Sequence, residues 1–99
     1  MPLRINVDRE RVSEFCRMHH IQKLAFFGSV LRDDFRPDSD VDVLVWIAPE
    51  HLPGLLRFMA LQHELEEIIG RTVDLRTPNE ISRYFREEVV SESEVEYAA

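Results

Sequence analysis

No run of basic residues interrupts this sequence. Twelve lysines and arginines are outnumbered by nineteen acids, for a net charge of −7 over 99 residues. Stable binding to a nucleic-acid backbone is therefore not expected, because such binding rests on cations that neutralise phosphates. Cysteine is nearly absent. The single Cys16 excludes an internal disulfide. It lies on the Val12, Phe15, Cys16 face of an expected first helix, where a core thiol is the simplest reading, since nothing nearby in sequence lowers its pKa. There is no long apolar segment to cross a membrane and no charged-then-apolar leader, so a cytoplasmic chain without a membrane partner is expected. Repeats, low-complexity linkers and composition breaks are missing too. The expectation is one domain over residues 1–99, able to bury roughly 60 to 70% of its unfolded surface around a single core.

What is present concentrates around Ser39-Asp40-Val41-Asp42-Val43-Leu44-Val45-Trp46. The residues after Asp40 are mostly β-branched, aliphatic or aromatic and predict a buried strand. Side chains at i and i+2 of a strand share a face, about 6.6 Å apart along the backbone, so Asp40 and Asp42 would face one ligand. A turn residue followed by an outward-facing edge aspartate is the plainer alternative. Upstream, the apolar run Leu24 to Phe27 stops at Gly28-Ser29 and gives way to Val30-Leu31-Arg32, which reads as strand, tight turn and short helix. Glycine permits close approach of backbone to a ligand. Amides at a helix start with a serine hydroxyl beside them form an anion site suited to phosphate, although Ser29 taken alone reads first as an ordinary helix cap.

Gly28-Ser29, ten residues, then Asp40-Val41-Asp42 resembles the signature of the nucleotidyltransferase superfamily that includes polymerase beta. Asp74, inside Thr72-Val73-Asp74-Leu75, falls where that family places its third carboxylate on a neighbouring strand. The stretch from Phe27 to Val45, together with Gly70 to Pro78 and Tyr84 to Val89, is similar to the minimal nucleotidyltransferase branch and covers nearly the whole chain. Asp33, where many relatives carry glycine, departs from the pattern. The resemblance implies an α/β (α+β) nucleotidyltransferase fold, a small mixed sheet packed against helices in a single domain. It implies Asp40, Asp42 and Asp74 as catalytic acids holding two Mg²⁺ ions. Gly28 and Ser29 would hold the triphosphate of ATP, with Arg32 and Ser39 as further nucleotide-binding residues.

The rest of the chain predicts helix, strand, turn, strand, helix, strand, helix. Asp8 is expected to open a helix running to about His20. A longer helix spans roughly Pro53 to Ile69, with Leu55, Phe58, Met59, Leu61, Leu65, Ile68 and Ile69 as a core stripe and Gly70 as its stop. Thr77-Pro78-Asn79-Glu80 reads as a capping box opening a final helix at once, with Ile81, Tyr84, Phe85 and Val89 on its buried face. Beyond Val90 the pattern fits either an edge strand or more helix. His63-Glu64 begins like a zinc-protease helix but lacks the second histidine and is read as a solvated face.

Three crowded carboxylates need cations, because like charges disfavour one another's ionisation. The acceptor is harder to read. In the minimal branch the resemblance implies a partner toxin of the HEPN family in a hetero-oligomer, neutralised by adenylylation of a tyrosine. Two alternatives stand beside this reading: an antitoxin that works by occlusion alone, with its acidic surface against a basic toxin, and a transferase acting on a small aminoglycoside-type molecule.

Overall fold

A computed structural model describes residues 5–32, 35–36 and 38–99. The first element, α1, spans Arg9–Met18. Asp8 caps it by accepting from the Arg11 amide at 3.2 Å, which satisfies one of the amides that a helix start leaves open. Val12, Phe15 and Cys16, at helical spacing, form its buried face. Then follow β1 (Ile21–Phe27), β2 (Val41–Ile47), α2 (Leu55–Ile69), β3 (Val73–Arg76), α3 (Arg86–Glu92) and β4 (Glu94–Ala98).

The strands form one mixed sheet in the order β3-β2-β1-β4. β1 runs antiparallel to β2 and β4, while β2 and β3 are parallel with α2 as their crossover. Alternation along the strands sends one set of side chains inward. Val41, Val43 and Val45 of β2, Leu24 and Phe26 of β1, and Val73 and Leu75 of β3 join Val12, Phe15, Leu61 and Leu65 in one core. A fully buried side chain such as Leu65 contributes about 1.5–3 kcal/mol. At the β3 edge, Glu66 Oε2 accepts from the Val73 amide at 2.9 Å and Gln62 Oε1 from the Leu75 amide at 3.1 Å. Two side chains of α2 thereby close that edge and fix where β3, and with it Asp74, stands.

Three expectations change. The stripe read along α2 is only half core: Leu61, Leu65 and Ile69 are buried, whereas Leu55 is 76% and Met59 47% exposed. Fifteen helical residues span about 22 Å, against about 13 Å for the four residues of β3. With Gln62 and Glu66 on β3, the overhang falls at the amino-terminal half. Secondly, Thr77 makes no side-chain capping bond, and only a 3₁₀ turn forms at Pro78–Glu80. Arg86 explains the delay, since its Nε donates to the Pro78 carbonyl at 2.8 Å and its Nη2 to Ile81 O at 3.1 Å, folding the chain back before α3 can start. Tyr84 and Phe85 consequently stand in solvent, 78% and 60% exposed. Thirdly, the segment after Val90 is both things in turn, helix to Glu92 and then β4 beside β1. Gly70, at φ 77°, ends α2 as expected, its amide donating to Glu66 O at 2.7 Å. Among the described residues, no helix is long and apolar enough to cross a membrane.

Candidate functional site

The site is built where β1 ends beside β2. Phe27, the last residue of β1, is the cross-strand partner of Asp42, so their side chains share a face. Gly28 follows at φ 75°, in the left-handed region. A Cβ at Gly28 would collide with Asp42 Oδ2 and stand 3.2 Å from Asp42 Cγ. Glycine is thus required twice over, for its dihedral and for the carboxylate lying against its α-carbon. The expected short helix is a four-residue 3₁₀ turn, Gly28–Leu31, closed by the Arg32 amide donating to Ser29 O at 2.9 Å. An anion here would meet individual amides and the Ser29 hydroxyl rather than the dipole of a long helix.

Parallel pairing sets Asp42 directly beside Asp74, on strands about 4.8 Å apart. Asp40 is exposed, one residue before β2. The Asp42 carboxyl is held above its ordinary range, first by burial and next by the charge of Asp74. Asp40 adds to the rise, while Arg76 and Arg32 oppose it. Three acids and two cations therefore act on one another at this corner of the sheet. Asp74 Oδ2 accepts from Arg76 Nε at 3.2 Å. Among the described residues no three His, Cys, Asp or Glu side chains are grouped to hold a metal ion, so the acids share a face without closing a cage. Magnesium does not require one, since it commonly takes one or two carboxylates and completes its shell with water and substrate phosphate. Hard carboxylate oxygens from Asp40 and Asp42, crowded enough to raise one of them, suit such an ion.

Arg32 is exposed beyond the turn, within electrostatic reach of Asp42. Ser39 serves the loop: its Oγ accepts from the Arg36 amide at 3.1 Å, and its own amide donates to Arg36 O at 3.0 Å. Asp33 lies outside the described residues. A cavity of about 500 Å³ adjoins the turn, lined by Phe27, Gly28, Leu31, Arg32, Val89 and Glu92. Phe27, which lines it, is the cross-strand partner of Asp42. Val89 was expected on a buried helix face, but no local pattern announced that it and Glu92 would line this cavity. Arg76 was within reach of sequence reasoning, because i and i+2 of a strand share a face and Arg76 follows Asp74 at that spacing. Away from the site, burial drives the Cys16 thiol to about 12, which fits an inert core position.

With the geometry in place, the chain matches the family model described as nucleotidyltransferase domain over residues 9–97. It belongs to the nucleotidyltransferase family. A protein of Methanocaldococcus jannaschii, provisionally named a protein adenylyltransferase, is 29% identical over 92% of this chain and 96% of its own length. The protein adenylyltransferase MntA of Thermococcus cleftensis is 42% identical over 56% of this chain and 54% of its own. Among solved structures, a minimal nucleotidyltransferase superposes with a TM-score of 0.71 at 34% identity, covering 86% of this chain and 85% of that one. A complex of tri-AMPylated HEPN toxin with MNT antitoxin from Shewanella oneidensis gives 0.67 at 19% identity over 92% of this chain and 70% of that one, a likeness of fold. Nucleotidyltransferases of this family use a nucleotide as substrate, and the Gly28 turn facing paired acids is the part of this chain suited to one.

Proposed function

We propose that this chain is a Mg²⁺-dependent protein adenylyltransferase that transfers AMP from ATP to a tyrosine hydroxyl of a separate partner, a HEPN-type toxin, and thereby acts as its antitoxin. The observation that carries the reading is the packing of Gly28 against the Asp42 carboxylate, with Asp74 in register beside it. The turn amides and Ser29 would bind the β- and γ-phosphates, placing the α-phosphorus over the acid face. Arg32 would add charge at the phosphates, and the adjoining cavity gives the nucleotide room. Ser39 would act mainly by shaping the loop before Asp40, its hydroxyl hydrogen remaining available to a phosphate oxygen. Asp40 and Asp42 would hold Mg²⁺, with Asp74 as a further ligand, and the bound ion would supply charge neutralisation at the triphosphate. In the transfer, the acceptor oxygen forms a bond to the α-phosphorus as the bond to the bridging oxygen of pyrophosphate breaks. Asp74 would orient the acceptor hydroxyl and take its proton, after exchanging its contact with Arg76. Residues 1–99 form the catalytic unit in this scheme, and the acceptor comes from another molecule.

The named relatives support the adenylyl donor and the protein acceptor. An occluding antitoxin without chemistry is disfavoured by the crowding that raises Asp42, a cost that a purely steric inhibitor has no reason to carry. Incubation of the chain with ATP, Mg²⁺ and the protein encoded beside it should add an AMP mass to a partner tyrosine. Asp42→Asn should abolish the addition, and substoichiometric enzyme should silence excess toxin. Labelling undiminished in Asp42→Asn, or silencing only at one-to-one ratio, would contradict the reading.

A further inference from the structure

We propose that Arg71 is the positioning residue that sets Asp40 against the other two acids. This rests on the site reading above. Asp40 is exposed and lies outside β2, so strand pairing alone does not locate it. The chain before it folds into a closed turn, in which Arg36 O accepts from the Ser39 amide at 3.0 Å and Ser39 Oγ accepts from the Arg36 amide at 3.1 Å. Arg71 grips that turn from the lead-in to β3. Its Nη2 donates to the same Arg36 carbonyl at 2.8 Å, and its guanidinium carbon stands 4.5 Å over the ring centroid of Phe35. Phe35 in turn packs against the core. On the other side of Asp40, the Val41 amide donates to Thr72 O at 2.9 Å. Two consecutive residues, Arg71 and Thr72, thus hold the chain on both sides of Asp40, at Phe35 and Arg36 before it and at Val41 after it.

The contact needs arginine. A planar guanidinium donates from its edge while its face lies on an aromatic ring, and the bond to a carbonyl is strengthened by its charge. A lysine ammonium at the same place can bond or hover over the ring, not both in this geometry. Because Arg71 precedes Asp74 by three residues, the clamp also ties the Asp40 loop to the strand that carries the third acid. Placement of Asp40 relative to Asp42 and Asp74 then rests in part on a side chain outside the acid set itself.

Arg71→Lys and Phe35→Leu separate the clamp from bulk stability, the second retaining the hydrogen bond while removing the ring. In the full chain with its partner, ATP and Mg²⁺, Arg71→Lys should lower kcat about 10–100-fold and raise the half-saturating Mg²⁺ concentration, with the KM for ATP changed by less than about threefold. Phe35→Leu should fall between it and the wild type. In metal-free Arg71→Lys, hydrogen exchange should show the Ser39 and Val41 amides deprotected relative to the wild type while α2 amides keep their protection. Wild-type kcat and Mg²⁺ dependence in Arg71→Lys would overturn the proposal, as would protection lost evenly across the sheet and α2. If the wild type transfers no nucleotide, the proposed function falls, while exchange at Ser39 and Val41 still judges the clamp.

Discussion

The two faces of β2 are made by the same seven residues and do opposite work. Toward α1 and α2, Val41, Val43 and Val45 are wholly buried. On the other face Asp42 is half-buried, Asp40 just outside the strand is exposed, and Phe27 and Asp74 flank them from the neighbouring strands. The first face gains free energy by excluding water. The second, although Leu44 on it is fully buried, gives some up at its Asp42 end, where a carboxylate packs against a glycine and beside two others and is harder to ionise as a result. Alternation in one strand lets a single seven-residue segment carry both.

That contrast can be broken from either side, and the apolar face should respond most. Leu65→Ala, at a fully buried position of α2, should cost about 2–5 kcal/mol in chemical denaturation. Gly28→Ala comes next in stability, about 1–3 kcal/mol for forcing a side chain into the left-handed region. Its transfer rate should fall at least about a hundredfold, because the new methyl displaces the Asp42 carboxylate. A folded Gly28→Ala chain that keeps the wild-type transfer rate would mean that the turn is merely structural.

Asp42→Asn should act with the opposite sign. The folded chain holds the Asp42 carboxyl above its unfolded value, so ionisation costs stability once pH passes the ordinary aspartate range, and the cost is absent below it. Removing the charge should raise the metal-free Tm at neutral pH, and the gain should vanish at about pH 3. A gain that persists in acid would assign the effect to packing instead. Smallest of all, Leu55→Gln on the overhanging part of α2 should stay within about 0.5 kcal/mol of wild type in denaturant titration, because the residue is 76% exposed.

Local signals explain why some of this was readable in the residues. The strand around Asp42, the acids two apart, the Asp8 cap and the Gly70 stop are each written within a few neighbouring positions, and the structure has the elements they announce. The amphipathic stripe of α2 misled because periodicity reports a face and not how far the sheet beneath it extends. Thr77 to Glu80 misled because Arg86, outside any capping motif, ties down Pro78 and Ile81. β4 depends on a strand some seventy residues earlier, a pairing that no local pattern encodes. Arg71 was invisible for the same reason, its partners Phe35 and Arg36 being brought to it only by the parallel pairing of β2 with β3.

Calorimetric titration with α,β-methylene ATP, which cannot release its AMP, addresses the acid face most directly. Wild-type chain should give binding heat only when Mg²⁺ is present, and Asp42→Asn, though folded and more stable, should give none. Equal heats with and without Mg²⁺, or undiminished binding by Asp42→Asn, would contradict the account.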